Sequence, residues 1–259
     1  MSKNIIITAG GTIEKVDDVR NITNMSTGKL GSTICNIILE DISEEIEKIY
    51  YVTTKNSIMP EKNEKIEFVY ITGVYELKQA IENLLKNFKI DYFIHSMAVS
   101  DYTVEYVSNA KRLTDEITKQ IVNAKDDIVT QEQLYSIIEN VIQSPNDVIN
   151  RQTKISSVEN DMIIKLKQAP KIISFIKQWD PNVKLIGFKL LSNVEEEELI
   201  SVATNLLKKN NCDYVVANDL SIIRKGTHKA FVIDKNGVKT SVNGKNAIAQ
   251  YLKDIIKTN

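Results

Sequence analysis

The sequence predicts an α/β fold: a mostly parallel sheet with helices on both faces. Three observations carry this. Short apolar runs bounded by turn residues read as buried strands. Apolar residues at helical spacing follow several of them. The two patterns alternate along most of the chain, as they do when helices cover both faces of a parallel sheet. Residues 1–259 are expected to form a single domain, with an inserted flap region at about residues 103–153 and a C-terminal hairpin.

In order, Ile5-Ile6-Ile7 is a buried strand, ended by the tight loop Thr8-Ala9-Gly10-Gly11-Thr12. Ser26-Thr27-Gly28-Lys29 begins a helix in which Ile34, Ile37 and Ile38 share a face. Residues 49–52 and 66–71 read as strands. Across residues 74–85, Leu77, Ala80, Ile81, Leu84 and Leu85 give an amphipathic helix. Tyr92-Phe93-Ile94 is a strand running into His95-Ser96-Met97-Ala98-Val99-Ser100-Asp101-Tyr102. Residues 103–151, rich in Asp, Lys, Gln, Asn and Thr, break the rhythm and read as an insertion between two core strands, a flap with one helix near residues 131–142. The alternation then resumes, with a helix over 170–179 that has Pro170 at its start, a strand over 184–188, a helix over 194–209 and a strand over 214–217. Asn236-Gly237 between the apolar runs of residues 230–240 signals a hairpin, and residues 245–256 close as a helix.

Composition narrows the function. Hydrophobic residues at 42% and charged residues at 26% fit a folded chain. Lys and Arg number 33 against 34 Asp and Glu, a balance that argues against nucleic acid or an anionic membrane as main partner. Two Cys, Cys35 and Cys212, are too few for a disulfide framework or a cysteine zinc site, and two His, His95 and His228, cannot build a multi-histidine metal site. No apolar run approaches the roughly 20 residues that span a bilayer, and the N-terminus has no signal-peptide pattern, so the expected location is cytoplasmic.

In such a sheet, ligands bind beyond the carboxyl ends of the strands. Four polar loops there define the candidate site: residues 9–12, residues 96–101, Gly187-Phe188-Lys189 and Ala217-Asn218-Asp219. Gly10-Gly11 lets backbone N–H groups approach an anion, although an ordinary turn accounts for the pair equally well. Ser26, Thr27, Gly28 and Lys29 put hydroxyls, free N–H groups and a cation at a helix N-terminus, which suits a phosphate; a plain Ser/Thr cap is the simpler account. The Asn24 amide both donates and accepts, as a group orienting a carboxylate or acyl intermediate must. Asp101 suits Mg2+ or a ligand hydroxyl, or a cap. Lys154, where the insertion returns, suits neutralising a phosphate, against a strong background of solvated surface lysines. His95 and Cys35 read as core, and Glu195-Glu196-Glu197-Glu198 as the solvated first turn of a helix.

Together these segments resemble the phosphopantothenate–cysteine ligases. The resemblance rests on Thr8-Ala9-Gly10-Gly11-Thr12 with residues 19–31, on Met97-Ala98-Val99-Ser100-Asp101-Tyr102, on Lys154-Ile155-Ser156-Ser157, on residues 166–172, on Gly187-Phe188-Lys189-Leu190 and on residues 213–219, in family order over nearly the whole chain. It implies a Rossmann-like fold and a step of coenzyme A biosynthesis. In that step 4'-phosphopantothenate is joined to L-cysteine through an acyl-nucleotide, with loss of pyrophosphate and then of CMP or AMP. It implies CTP as co-substrate with ATP as the alternative, Mg2+, a homodimer, and the free-standing rather than the decarboxylase-fused form. Carried over, Asn24 holds phosphopantothenate or the acyl-nucleotide, and Ser26, Thr27, Gly28, Lys29, Ala98 and Asp101 line the substrate. Gly10, Gly11, Ser96, Met97, Asp101, Lys167, Gln168, Ala169, Pro170 and Phe188 line the nucleotide, and Lys154 reaches the triphosphate.

Three departures accompany the resemblance. The stretch from Asp101 to Lys154 is longer than in the fused bacterial enzymes, leaving Lys111 and Lys119 as alternatives to Lys154. Gly187-Phe188-Lys189-Leu190 is closer to the eukaryotic, ATP-using branch, and the basic residues that the fused enzymes place late in the following helix are matched only loosely, by Lys208 or Lys209. An NAD(P)-dependent oxidoreductase would need a GxGxxG loop and an acid ending the second strand, where Val52 is followed by Thr53-Thr54-Lys55. A non-enzymatic nucleotide-binding module would not need Asn24, Asp101 and a flap lysine together.

Overall fold

The computed structural model describes residues 2–125, 130–149, 151, 153–158, 161–224, 229–237 and 239–258. His228 and Val238 lie outside these, as do parts of the predicted insertion. The chain divides into two compact units. One comprises Met1–Ile13, Thr23–Ser100 and Pro170–Asn259, the other Glu14–Ile22 and Asp101–Ala169.

The first unit is built on an eight-stranded sheet. Its strands are β1 (Lys3–Ala9), β4 (Ile46–Thr53), β5 (Ile66–Tyr70), β6 (Tyr92–His95), β9 (Lys184–Leu191), β10 (Tyr214–Asp219), β11 (Lys229–Asp234) and β12 (Lys239–Asn243). They lie in the order β12-β11-β10-β9-β6-β1-β4-β5. The six strands from β10 to β5 are parallel, and β11 and β12 add the predicted antiparallel hairpin at one edge. From β1 the chain moves outward to β4 and β5, then returns to the other side of β1 as β6. The topological switch point therefore lies between β1 and β6.

The helices are α1 (Lys29–Ile42), α2 (Val74–Asn87), α5 (Ile173–Trp179), α6 (Glu196–Lys209), α7 (Leu220–Arg224) and α8 (Lys245–Thr258). Alternation of side chains along each strand puts Ile5, Ile7, Tyr51, Ile94, Ile186 and Val216 in one core with Ile34, Ile38, Leu252 and Ile256 of α1 and α8. α6 packs against β9 and β10. Burial on both faces is why these strands read as continuous apolar runs.

The second unit holds β7 (Tyr102–Asn109), α3 (Ala110–Asn123), α4 (Gln131–Gln143) and β8 (Met162–Gln168), with β7 and β8 paired antiparallel. β2 (Ile13–Lys15) and β3 (Asn21–Thr23) form a separate two-stranded pair. This unit has its own small core of Val16, Val104, Val107, Ile149 and Ile155. The sequence signalled α4 but neither β7, α3 nor β8.

Three sequence expectations need correcting. Pro170 does not start a helix; α5 begins at Ile173, after a turn in which Ser174 and Phe175 donate to the Lys171 and Ile172 carbonyls. Gly187-Phe188-Lys189 and Ala217-Asn218-Asp219 are not loops. They are paired strand at the carboxyl end of the β9–β10 ladder, in which Lys189, Leu190 and Leu191 pair with Ala217, Asn218 and Asp219. Polar residues there mark the carboxyl edge of the sheet, not the end of pairing. Finally, the N-cap position of α1 is Gly28, in the left-handed region at φ 76° and with no side chain to cap; Thr27, one residue before it, still accepts the Lys29 N–H on its Oγ1 at 3.3 Å.

Candidate active site at the switch point

The loops after β1 and β6 are bonded to one another. Ala98 N–H donates to the Gly10 carbonyl at 2.8 Å, and Thr12 N–H donates to the Ala98 carbonyl at 3.2 Å. The side chains at the strand ends tighten the second loop. Ser96 Oγ donates to the Thr8 carbonyl at 2.7 Å, Met97 N–H to Thr8 Oγ1 at 3.3 Å and Ser100 N–H to Thr12 Oγ1 at 2.9 Å. Thr8 Oγ1 also lies 2.8 Å from Nδ1 of buried His95. That hydroxyl also accepts from Met97 N–H, so it links the ring to the loop after β6; the tautomer sets which of Oγ1 and Nδ1 donates. Burial lowers the His95 pKa to about 4, so the ring is neutral at ordinary pH.

Asn24 joins this assembly through its amide, whose Nδ2 donates to the Ala98 carbonyl at 3.2 Å while the residue stays exposed. Its backbone carbonyl accepts from Ser26 N–H. Gly10 is obligatory here. Its φ is +88°, and a Cβ would lie 2.0 Å from Ser57 Oγ. Thus Gly10, Gly11, Asn24, Ser96, Met97 and Ala98 are brought together on one edge, with Gly28 and the start of α1 beside Gly10. Lys29 and Thr27 are exposed at that helix start, where the dipole favours an anion.

Phe188 is half-buried in β9 and packs against the main core. Opposite it on β10 is Val216, and two residues further on the same face is Asn218, paired in register with Leu190. Asn218 is 5% exposed and its Oδ1 is buried without a hydrogen-bond partner. A buried acceptor left unpaired is costly, and a ligand donor would relieve it. The sequence places Asn218 in one of the four candidate segments but gives it no role, although a polar residue in the core-facing slot after Tyr214 and Val216 was the available signal. The neighbouring Asp219 is structural. Its carboxylate takes the Ser221 hydroxyl and the backbone N–H groups of Asn193, Val194, Ser221 and Ile222, which hold its pKa far below the usual carboxylate range.

Asp101, Lys111, Lys119, Lys154, Lys167, Gln168 and Ala169 belong to the second unit. Asp101 is exposed, and its carbonyl accepts from Ala169 N–H at 2.9 Å. Lys167 and Gln168 are exposed on β8 opposite Thr103 and Tyr102. Lys154 is exposed, Lys111 pairs with Asp115 on α3, and Lys119 lies further along that helix. Pro170, Lys208 and Lys209 are in the first unit, the two lysines in the last turn of α6. Among the described residues no group of three or more His, Cys, Asp or Glu could hold a metal ion. An Mg2+ that arrives on a nucleotide, coordinated by phosphate and water oxygens, needs no such cage.

A doubly wound sheet with two interlocked loops at its switch point and a helix N-terminus beside them defines a Rossmann-like α/β protein, whose ligand edge in such folds lies outside the carboxyl ends of the strands. The chain belongs to the family described as the DNA/pantothenate metabolism flavoprotein C-terminal domain, which it matches over residues 1–136 and 145–259. It is similar to the DNA/pantothenate metabolism flavoprotein of Streptococcus pneumoniae, whose crystal structure superposes with a TM-score of 0.75 at 33% identity and covers 100% of this chain and 99% of that one. The coenzyme A biosynthesis bifunctional protein CoaBC of Thermococcus kodakarensis is 28% identical over 237 residues, which are 92% of this chain and 46% of that protein. The chain spans about half the length of the first curated relatives it matches. A Cab2 variant in complex with phosphopantothenate-cysteine shares the fold, with a TM-score of 0.65 at 16% identity over 97% of this chain and 86% of that one.

Proposed function

We propose that this chain ligates 4'-phosphopantothenate to L-cysteine, in two steps on the switch-point edge. A carboxylate is a poor electrophile for an amine. Attack of its oxygen on the α-phosphate of a nucleoside triphosphate expels pyrophosphate and gives an acyl-nucleotide; the cysteine amine then attacks the acyl carbon and the nucleoside monophosphate leaves. The observation that carries this reading is the Asn24–Ala98–Gly10 assembly in a chain of this family. The relative whose complex holds phosphopantothenate-cysteine supports the same product.

In this reading, the Gly10-Gly11 and Ser96-Met97-Ala98 loops cradle the acyl-phosphate, Ser26, Thr27, Gly28 and Lys29 hold an anionic group, and Asn24 orients the acyl centre. Phe188 packs against the base, and Asn218 Oδ1 accepts from its exocyclic amine. Cytosine and adenine both carry such an amine, so CTP is the proposed co-substrate and ATP the alternative. The family resemblance assigns Lys154 to the triphosphate, and Asp101 and residues 167–169 to the nucleotide and substrate. Mg2+ would be held by the phosphate oxygens, where it supplies charge neutralisation. The enzyme works in the cytoplasm as a homodimer; light scattering that gives one chain mass at micromolar concentration would reject the dimer.

The test is pyrophosphate release with phosphopantothenate and CTP, ATP or UTP, with and without cysteine. Release with CTP or ATP but not UTP, and a cysteine-dependent thiol product, is expected. No release with any nucleotide removes the reading.

A further inference from the structure

Asp17 is a charged residue that the reaction above leaves unused, yet it is 1% exposed. Its Oδ1 accepts the Val19 and Arg20 N–H groups at 2.8 and 2.7 Å. Its Oδ2 accepts Arg20 Nη1 at 3.0 Å and, from 138 residues further along the chain, Ile155 N–H at 3.1 Å. The Arg20 guanidinium continues through Nη2 to the Ile155 carbonyl at 3.4 Å. One peptide unit on each side of Ile155 is therefore gripped, its N–H by Asp17 and its C=O by Arg20. The Ile155 side chain is 2% exposed and packs with Val16, Val104, Val107 and Ile149. Lys154 and Ser156 on either side are exposed. A second hold lies just upstream, where Arg151 Nη1 donates to the Val104 and Glu105 carbonyls. All of these residues lie in the second unit.

We propose that Asp17 is a positioning residue that acts through Ile155 to fix the backbone carrying Lys154. A lysine reaching for a triphosphate is effective only when its stem starts from a fixed place, because misplacement by about 1 Å costs on the order of 10²-fold. Lys154 has a long flexible side chain on an exposed segment, so its precision comes from the clamp at the next residue. The charge of Asp17 matters as well as its shape: one carboxylate takes four donors, and charge-assisted hydrogen bonds are about twice as strong as neutral ones. This inference rests on the ligase reading for the role of Lys154, but the clamp itself does not.

Asp17→Asn is the informative variant. One side-chain oxygen still accepts from the Val19–Arg20 turn, while an NH2 group faces the Ile155 N–H, so the turn survives and the clamp opens. Amide exchange at Ile155 should rise at least about tenfold in this variant, with the protection of β1 and β6 unchanged. The kcat for pyrophosphate release should fall about 10- to 100-fold with the nucleotide KM nearly unmoved, the pattern of a contact made in the transition state. The decisive arm is a double-mutant cycle. If Asp17 acts through Lys154, adding Asp17→Asn to Lys154→Ala lowers kcat no further than Lys154→Ala alone. Val107→Ala, which loosens the same core without touching the clamp, should leave kcat unchanged. Unchanged exchange at Ile155 overturns the clamp, whether or not the wild-type chain releases pyrophosphate. Raised exchange with fully additive losses in kcat, or with kcat unaffected, overturns the positioning role. A wild-type chain without pyrophosphate release removes the ligase reading and with it the role of Lys154, while the exchange arm still decides the clamp.

Discussion

At the scale of single residues, the site depends on amides whose two ends are used differently. Asn24 commits Nδ2 to the Ala98 carbonyl, which turns its Oδ1 away from that bond. Asn24→Asp replaces the donor with an anion beside a carbonyl oxygen and beside the anionic acyl-nucleotide, and like charges at contact distance repel. Turnover should fall steeply, with the acyl-nucleotide accumulating when cysteine is withheld; near-normal turnover with no trapped species would remove Asn24 from the site. Asn218 is the opposite case, a buried oxygen with nothing to accept. Asn218→Ala gives up a single hydrogen bond to the base, worth about 0.5–1.5 kcal/mol, so the nucleotide KM should rise about three- to tenfold with kcat retained. An unchanged KM would mean that the base lies elsewhere. The sequence could deliver Asn24 because it sits in a long distinctive motif. It places Asn218 at the site edge without a role, because strand alternation shows which face a residue takes, whereas only the packed structure shows that its oxygen lacks a partner.

At the scale of elements, the close seating of α1 on the sheet positions the site. A Cβ at Gly31 would lie 2.5 Å from Ala9 Cβ and 3.0 Å from Ser96 Oγ. Two effects oppose each other in Gly31→Ala. Helix propensity favours alanine by about 1 kcal/mol. Against it, the neighbouring Cβ belongs to the backbone-near part of β1 and cannot swing aside, and overpacking costs about 1–3 kcal/mol. The clash should win: the denaturant midpoint falls, and Ala9→Gly in the same chain restores part of the loss. A Gly31→Ala chain as stable as the wild type would mean that α1 is free to shift. The same scale explains where the sequence reading stopped. The central strands of the large sheet, such as β1, β4 and β6, were legible because both of their faces are buried and their apolar runs are nearly unbroken. β7 and β8 were not, because Glu105, Lys165 and Lys167 interrupt them, Met162, Ile163 and Leu166 are exposed, and their core is only a handful of residues. α3 buries only Leu113, so its polar surface hid its period.

At the scale of the whole molecule, stability should carry the signature of one buried histidine. His95 has its pKa lowered by burial from 6.5 to about 4, because the charged ring would have to form away from water. In the unfolded chain the same ring takes its proton near pH 6.5. Between those values the unfolded state binds more protons than the folded one, so stability falls as pH falls through this window and is fully present above it. The carboxylates with depressed pKa, among them Asp17, Glu196 and Asp219, act in the same direction but later, since their contributions are lost only as pH drops below the ordinary carboxylate values of 3.8 to 4.5. From pH 7 to pH 5 the loss therefore belongs to His95 among the described residues, and it amounts to about 2 kcal/mol. Denaturant midpoints measured at the two pH values should differ accordingly, whereas His95→Asn, which keeps a hydrogen-bonding partner for Thr8 but no group titrating in this range, should give nearly equal midpoints. The site is linked to this titration, because the ring that resists protonation also holds the Thr8 hydroxyl on which the Met97 N–H rests. Acidification toward pH 5 should thus destabilise the fold without first charging the loop that the substrates meet. Equal wild-type midpoints at pH 7 and pH 5 would show that His95 is solvated in the folded chain and does not fix that loop.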